Sequence, residues 1–222
     1  MEILNLGSHR IGVRFPEKGL RKGKNPAILL NDGELIEQLN LRTERAVLVG
    51  VYPNNRLSEY TPWPEPAIRP GTPDFGGQLG QYHQELNNEI LPALIDEYAL
   101  DTEKLAYGGY SLGGLAATMS LWETDAFAAV FSLCGSFWYP GVAGFIEEHV
   151  PKNYSAQVYL QNGIREGEGH NNRLCDAYSY AQRVHTALQA TCGAKTVLDD
   201  YGHHDRQSER LNAALRWVER VL

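Results

Sequence analysis

A serine set between glycines is the feature of this sequence with the plainest chemical meaning. Residues 109–114 read Gly-Tyr-Ser-Leu-Gly-Gly, a Gly-x-Ser-x-Gly pattern with Ser111 at its centre. The pattern is typical of a sharp strand-to-helix turn that exposes a nucleophilic hydroxyl, and its glycines relieve contacts that a Cβ would make there. It predicts that Ser111 attacks a carbonyl carbon; the alternative is a serine that only caps a helix.

Two adjacent histidines near the C-terminus offer the base that such a serine needs. Residues 201–205 read Tyr-Gly-His-His-Asp. A serine hydroxyl is a weak nucleophile at neutral pH until a histidine within hydrogen-bonding reach accepts its proton. His203 and His204 compete for this role, and the residue types alone do not choose between them. The alternative is that Asp205 caps the last helix while both rings lie in solvent.

A carboxylate should hold the base in the correct tautomer, and in chain order it is expected between the serine and the histidines. The segment 162–170 follows a predicted strand and offers Glu166 first and Glu168 second. We favour Glu166, against the alternative of a solvated loop carboxylate. Three other carboxylates are weaker candidates, because one lies in a predicted helix and two flank the last predicted strand: Asp176, Asp199 and Asp200.

Backbone N–H groups are expected to bind the oxyanion that forms when the serine attacks. Leu112 follows the nucleophile and opens a helix, so its N–H has no acceptor within that helix. The second donor is expected in the turn after an early strand, where Gly33 and Glu34 are the candidates. The alternative is a turn that only precedes a helix.

Short apolar runs alternate with segments of helical period, which predicts an α/β fold with a mostly parallel central sheet flanked by helices on both faces. The predicted strands are Arg10–Phe15, Ala27–Leu30, Ala46–Val51, Leu105–Gly109, Ala128–Leu133, Val158–Gln161 and Thr196–Leu198. The predicted helices are Glu34–Asn40, Leu79–Tyr98, Leu112–Trp122, Asn172–Ala190 and Gln207–Leu222. No linker or repeat interrupts this order, so we expect one domain over residues 1–222.

Residues 52–76 form the one long segment without a regular period. The segment carries six prolines and Trp63, which is too much proline for a helix or a central strand. Such a loop often lines a functional site.

Composition narrows the classes of partner. A net charge of −7 without a basic run argues against nucleic acid. No window is apolar enough to span a bilayer and the N-terminus lacks a signal-peptide pattern, so a cytoplasmic location without membrane attachment is the default expectation. Three cysteines without metal-ligand spacing, and no phosphate-loop or dinucleotide pattern, predict no disulfide framework, no metal and no cofactor.

Six segments together resemble the putative-esterase family of α/β hydrolases, which includes esterase D and the enterochelin (siderophore) esterases. They occur in the family's order and span nearly the whole chain: residues 29–34, 56–63, 109–114, 135–140, 163–166 and 202–205. The resemblance implies an α/β-hydrolase fold and a serine esterase that acts on a small-molecule ester through an acyl-enzyme. The family's Gly-Gly-His-Asp motif overlays His204, so the resemblance favours His204 as the base, and it supports Glu166 as the acid.

The segments at 135–140 and 163–166 look particularly like the siderophore-esterase branch, which suggests trilactone esters as substrates. An anionic, aromatic trilactone would need arginines and stacking rings near Ser111. The candidates are Arg56, Trp63, Trp138, Tyr139 and Arg165, although the aromatic residues at 138 and 139 could equally belong to the core. Two other functions compete: an acyltransferase, since mycolyltransferases resemble this family, and a hydrolase-fold binding protein without activity.

Overall fold

An eight-stranded sheet runs through the molecule, which we describe from a computed structural model covering residues 1–222. The ten strands in chain order are β1 (Glu2–Leu6), β2 (His9–Arg14), β3 (Asn25–Asn31), β4 (Val47–Tyr52), β5 (Pro64–Glu65), β6 (Phe75–Gly76), β7 (Leu100–Tyr110), β8 (Ala129–Leu133), β9 (Gln157–Gly163) and β10 (Lys195–Asp199). The large sheet has the order β1-β2-β4-β3-β7-β8-β9-β10, while β5 and β6 form a separate two-stranded ladder. Only the pairs β1–β2 and β2–β4 of the large sheet are antiparallel. Every predicted strand is present, with ends that differ by a few residues.

Helices follow most of the parallel strands. They are α1 (Leu35–Gln38), α2 (Arg56–Glu59), α3 (Leu79–Glu85), α4 (Leu91–Tyr98), α5 (Leu112–Glu123), α6 (Val142–Glu148), α7 (Ala177–Cys192) and α8 (Gln207–Val221). A π-helical segment, Leu86–Ile90, joins α3 to α4, and a 3₁₀ turn, Arg173–Asp176, precedes α7. Sequence periodicity located the long helices but missed α6 and the single turn α2, which lies within the proline-rich segment 52–76.

The sheet divides the apolar core into two layers, because successive side chains of a strand point to opposite faces. In β3 the side chains of Ala27 and Leu29 join the larger layer, and those of Ile28 and Leu30 join the smaller one. Helices α3 to α7 cover the larger layer, and α1 and α8 cover the smaller layer. Since central strands are buried on both faces, they read in the sequence as continuous apolar runs rather than alternating ones.

The carboxyl ends of the parallel strands meet at one edge of the sheet, and the loops that follow them present side chains that are not needed for core packing. Ser111 directly follows β7, and Glu166 lies three residues after the end of β9. His203 lies four residues after β10, and the turn at 32–34 follows β3. The topology thus gathers Ser111, Glu166, the histidine loop and the turn at 32–34 at this edge.

The proline-rich segment 52–76 is more ordered than its composition predicts. It contains α2 and the β5–β6 ladder, in which Pro64 pairs with Gly76 and Glu65 with Phe75. A Cβ on Gly76 or Gly77 would collide with Ser58 or with the backbone at 63–64, so these glycines allow the segment to fold back on itself. None of the helices has the length and apolar character needed to cross a bilayer.

Candidate active site

The turn at Ser111 is strained and is fixed by its neighbours. Ser111 has φ 60° and ψ −122° as the residue that caps α5, a conformation that costs an L-residue free energy. Its N–H donates to the Leu133 carbonyl at 2.9 Å, and its carbonyl accepts from the Ser136 N–H at 3.1 Å. A Cβ on Gly109 would lie 2.5 Å from the Gly113 carbonyl, which is why the turn needs glycine at this position. The strain therefore serves to project the Ser111 hydroxyl from the sheet edge.

The histidine that faces this hydroxyl is His203, and the prediction of His204 is wrong. His203 Nε2 lies 3.0 Å from Ser111 Oγ, and His203 Nδ1 lies 3.0 Å from a Glu166 carboxylate oxygen. The Tyr110 hydroxyl donates to the His203 carbonyl and so fixes the backbone that aims this ring inward. His204 is exposed and packs edge-on against the His203 ring, with ring centroids 4.8 Å apart.

His204 is further disfavoured as a proton acceptor by its surroundings. Desolvation lowers the pKa of His204, and the neighbouring His203 lowers it further. The turn itself is closed by a hydrogen bond of 2.8 Å from the Gly202 N–H to Asp205. This turn directs the two consecutive rings to different environments, and only one of them reaches the serine.

Glu166 is a buried carboxylate with three hydrogen-bond donors. It is 4% exposed. One of its oxygens accepts from the Gly163 N–H at 2.8 Å and from Asn162 Nδ2 at 3.2 Å, and the other faces His203. Burial alone would raise the pKa of Glu166, but hydrogen bonds from His203 and Gly163 outweigh burial and lower it. Glu166 is therefore held ionised beside the imidazole.

The other carboxylates considered from the sequence lie elsewhere. Glu168 is exposed and pairs with Arg165 at 2.9 Å. Asp199 binds the guanidinium of Arg210, and Asp176 and Asp200 are exposed. None of these four contacts either histidine of the loop by a hydrogen bond.

A second hydroxyl lies next to that of Ser111, and sequence reasoning missed it. Ser136 Oγ lies 3.3 Å from Ser111 Oγ and is 1% exposed. Ser136 follows β8, and Gly135 lets the chain turn tightly beneath Ser111, since a Cβ there would lie 2.5 Å from Ser132 Oγ. The motif at 135–140 contained this residue, but nothing in its spacing indicated contact with Ser111.

Of the three backbone groups considered as oxyanion donors, Gly33 is excluded. Its N–H donates to the Val51 carbonyl at 3.0 Å, so the prediction for Gly33 is wrong. Glycine is needed there for a different reason: a Cβ would lie 2.7 Å from the Gly50 backbone in β4. Leu112 opens α5, so its N–H has no acceptor within that helix. Glu34 lies at the start of α1 and lines a cavity together with Ser111.

Two cavities flank Ser111. The larger, of about 520 Å³, is lined by Ile68, Arg69, Ser111, Trp138, Arg165, Glu166, Gly167, Glu168, His170, Leu174, Ala177, Gly202, His203, His204 and Asp205. The smaller, of about 260 Å³, is lined by Asp32, Glu34, Leu35, Gln38, Arg56, Tyr110, Ser111, His203, His204 and Gln207. Because Ser111 and His203 line both cavities, the serine hydroxyl has open space on two sides.

The predicted substrate-binding residues divide into three groups. Trp138 and Arg165 line the larger cavity, and Arg56 lines the smaller one. The Arg56 guanidinium is already engaged by both oxygens of Asp32, at 2.7 and 2.9 Å, so its charge is largely neutralised. Trp63 and Tyr139 line neither cavity. Tyr139 is fully buried, so its prediction as a substrate-binding residue is wrong, while that of the half-buried Trp63 stays a prediction.

Trp63 and Tyr139 belong to the packing beneath the site. Tyr139 is fully buried and donates its hydroxyl to the Trp63 carbonyl at 2.6 Å, while Trp63 Nε1 donates to the Pro140 carbonyl at 2.9 Å. The residues of the larger cavity that sequence reasoning missed include Ile68 and Leu174. The only signal for Ile68 was its place in the proline-rich loop.

Cys134, Glu166 and His203 offer ligand atoms within 4.8 Å of one another, which is the one cluster that resembles a metal site. Its chemistry does not fit a cation. Burial raises the pKa of the Cys134 thiol, so the thiolate that a metal requires is disfavoured. The cationic Arg210 Nη1 also lies 2.8 Å from Cys134 Sγ.

Behind the carboxylate, Asn162 connects Glu166 to a buried histidine of α7. His185 is 4% exposed, and its Nε2 lies 3.0 Å from Asn162 Oδ1. Since Asn162 Nδ2 donates to Glu166, its Oδ1 must accept, so His185 donates through Nε2. His185 Nδ1 is then unprotonated, and it is buried without a partner. Desolvation lowers the pKa of His185 to about 4.

We expect this buried neutral histidine to destabilise the fold in acid. The unfolded chain binds a proton at His185 near pH 6.5, whereas the folded chain binds it only near pH 4. The free energy of unfolding is therefore at its full value above pH 6.5 and decreases as the pH falls toward 4. The loss is about 3 kcal/mol, since one pKa unit corresponds to about 1.4 kcal/mol. Urea unfolding between pH 7 and 4 measures it. His185→Gln keeps a donor for Asn162 but does not titrate, so its stability should fall less with pH, while the exposed His170→Gln should behave like the wild type.

The chain is similar in sequence and in fold to known proteins. The sequence matches the putative-esterase family over residues 7–217. The uncharacterized protein YbbA of Bacillus subtilis (strain 168) is 29% identical over 204 residues, which are 83% of this chain and 82% of that protein. An IroE-like serine hydrolase from Shewanella oneidensis superimposes with a TM-score of 0.74 at 20% identity, covering 96% of this chain and 74% of the other. The siderophore hydrolase EstA from Aspergillus nidulans superimposes with a TM-score of 0.75 at 17% identity, covering 96% and 90%.

The superpositions confirm the predicted α/β-hydrolase fold, with its mostly parallel sheet between two layers of helices. The family match extends over the serine turn, the loop of Glu166 and the histidine loop, so it includes every element that builds the site. The resemblance seen in six short segments is thereby confirmed over nearly the full length. The chain belongs to the putative-esterase family.

Proposed function

We propose that the protein is a serine carboxylic-ester hydrolase that works through an acyl-enzyme on Ser111. One observation carries this proposal: a continuous hydrogen-bonded chain runs from Ser111 Oγ through His203 to the buried Glu166 carboxylate, with 3.0 Å at each step. Ser111, His203 and Glu166 all line a cavity that is large enough for an organic ester. The arrangement matches the nucleophile, base and acid of acyl-transfer catalysis in geometry as well as in residue type.

In the proposed reaction Ser111 Oγ attacks the ester carbonyl carbon while its proton passes to His203 Nε2. The ionised Glu166 accepts a hydrogen bond from His203 Nδ1–H and stabilises the imidazolium that forms. The N–H groups of Leu112 and Glu34 are our proposed donors to the oxyanion. Collapse of the tetrahedral intermediate breaks the C–O bond to the alcohol, which leaves with the proton from His203. Water then attacks the acyl-enzyme by the same steps and releases the acid.

Labelling with a fluorophosphonate tests the proposal. This reagent phosphonylates a serine only where a base activates it, so mass spectrometry should show one adduct per chain, mapped to the peptide that contains Ser111. Ser111→Ala should remove the adduct, and Ser179→Ala on the exposed side of α7 should keep it. Folded wild-type protein that takes up no label would exclude an activated Ser111 and with it the acyl-enzyme.

For the substrate we propose siderophore trilactone esters. Support comes from Trp138, which offers an aromatic ring on the wall of the cavity beside Ser111, and from the structural likeness to the siderophore hydrolase EstA. Arg165 lies on the same wall, where it is paired with Glu168. In an assay of hydrolysis, a catecholate trilactone, in apo or ferric form, should be turned over more efficiently than p-nitrophenyl acetate. Good hydrolysis of the simple ester without turnover of the trilactone would overturn this narrower proposal and leave the wider one intact.

A further inference from the structure

A charged side chain is buried beneath the histidine loop and has no part in the proposed reaction. Arg210 projects from α8 and is 2% exposed. Its Nε and Nη2 bind both carboxylate oxygens of Asp199, the last residue of β10. Its Nη1 donates to the Gly202 carbonyl at 3.0 Å, to the Tyr110 hydroxyl at 3.2 Å and to Cys134 Sγ at 2.8 Å. The guanidinium therefore contacts three different segments at the carboxyl edge of the sheet.

Two of these contacts are to residues that directly precede Ser111 and His203, the pair that would react. Tyr110 is the residue before Ser111, and Gly202 is the residue before His203. The Tyr110 hydroxyl, in turn, donates to the His203 carbonyl. Arg210 thus reaches the histidine loop directly through Gly202 and indirectly through Tyr110.

The direction of these hydrogen bonds is fixed by Arg210. A guanidinium has only donors, so the Tyr110 oxygen must accept from it, and the single hydroxyl proton remains for another acceptor. The His203 carbonyl is that acceptor. The charge on Arg210 therefore polarises the Tyr110 hydroxyl toward the backbone of the base, which strengthens the hydrogen bond that holds it.

Stability alone does not explain a buried ion pair at this place. Replacing such a pair by apolar side chains of similar size is often neutral or stabilising, because desolvation offsets the attraction between the charges. The Arg210–Asp199 pair instead gives a directed set of contacts that apolar side chains would lack. Two of those contacts, to Gly202 and to Tyr110, end on the residues that precede His203 and Ser111.

We propose that Arg210 is a positioning residue that, through Gly202 and Tyr110, holds His203 Nε2 within hydrogen-bonding distance of Ser111. This inference rests on the proposed function, since it assigns a task to Arg210 only if His203 activates the serine. Loss of the contacts lets the loop shift, and a shift of about 1 Å in a reacting group can lower a rate by about 10²-fold.

Two variants test the proposal, and one leaves the ion pair intact. Tyr110→Phe removes the hydroxyl that joins Arg210 and Cys134 to the His203 carbonyl but keeps the Arg210–Asp199 ion pair. The double variant Asp199→Asn/Arg210→Met removes the pair without leaving one buried charge alone. We expect the rate of fluorophosphonate labelling at Ser111 to fall about 5-fold to 20-fold in the first and about 10-fold to 100-fold in the second. With p-nitrophenyl acetate, kcat should fall by similar factors while KM stays within about twofold, because the loss concerns the reacting groups and not binding.

Arg216→Met on the exposed side of α8 is the matched control and should label at the wild-type rate. If the double variant does not fold, Tyr110→Phe alone decides. Wild-type labelling rates in folded Tyr110→Phe, or in a folded double variant, would overturn the role of Arg210 while leaving the esterase proposal standing. Failure of the wild type itself to label at Ser111 would instead overturn the proposed function.

Discussion

His203→Ala should lower kcat/KM for ester hydrolysis by at least about 10³-fold, whereas His204→Ala should lower it by less than about fivefold. The reason is geometric. His203 Nε2 lies 3.0 Å from Ser111 Oγ and can take its proton, whereas His204 is exposed and forms no hydrogen bond to the serine. Without an imidazole at that distance, the hydroxyl attacks as a neutral alcohol, and only binding and oxyanion stabilisation remain to accelerate the reaction.

Steady-state hydrolysis of p-nitrophenyl acetate measures both variants, with labelling of Ser111 by a fluorophosphonate as an independent readout. His204→Ala is the matched control, because it removes the same side chain one residue away on the same loop. Thermal unfolding of each variant establishes that both are folded. Equal losses at the two positions, or a larger loss at His204, would contradict the assignment of His203 as the base.

The choice between His203 and His204 shows which property of the site the sequence does not predict. The Gly-x-Ser-x-Gly pattern is a local signal, because the strained turn and its glycines lie within five residues of each other. The choice between two consecutive histidines depends on which ring the turn aims inward. That direction is set by Tyr110, which lies 93 residues earlier in the chain and holds the His203 carbonyl. A family motif aligned by residue type could not register this contact.

Trp138 and Tyr139 are a second case in which the sequence does not predict which of two consecutive side chains faces the cavity. Trp138 lines the larger cavity, and Tyr139 points into the core, where its hydroxyl holds the Trp63 carbonyl. Both are aromatic residues, and their order in the chain is compatible with either one lining the cavity while the other packs in the core. Which ring is exposed to substrate depends on the path of the segment 63–77, whose fold rests on contacts that no short-range pattern encodes.

The order of strands and helices was predictable for a different reason. Buried strands such as β3 and β8 are continuous apolar runs, and long helices such as α7 show their period over several turns, so both signals are local. The strand β1 was missed because it lies at the sheet edge with most of its side chains exposed and carries no apolar run of useful length. Periodicity therefore locates the framework, while the site depends on contacts between distant loops.

Glu166→Gln should lower kcat by about 10²-fold to 10⁴-fold, an effect that arises from the tautomer of His203. One oxygen of Glu166 accepts from the Gly163 N–H and from Asn162, so the Gln carbonyl oxygen must take this position. The Gln NH₂ group then faces His203 Nδ1 and donates to it. His203 is thereby held with its proton on Nε2, where it points at Ser111 and cannot accept the serine proton.

Three further variants separate this mechanism from a loss of packing. Glu166→Asp keeps the charge but retracts it from His203, so its kcat should lie between those of the wild type and Glu166→Gln. Glu168→Gln, on the exposed neighbouring carboxylate, should leave kcat unchanged. Asn162→Ala removes a donor to the carboxylate while Gly163 still holds it, so its loss of kcat should be smaller than that of Glu166→Gln. If Glu166→Gln hydrolyses p-nitrophenyl acetate at the wild-type rate, Ser111 and His203 act as a pair, and the buried carboxylate serves only to hold the loop at 162–166 in place.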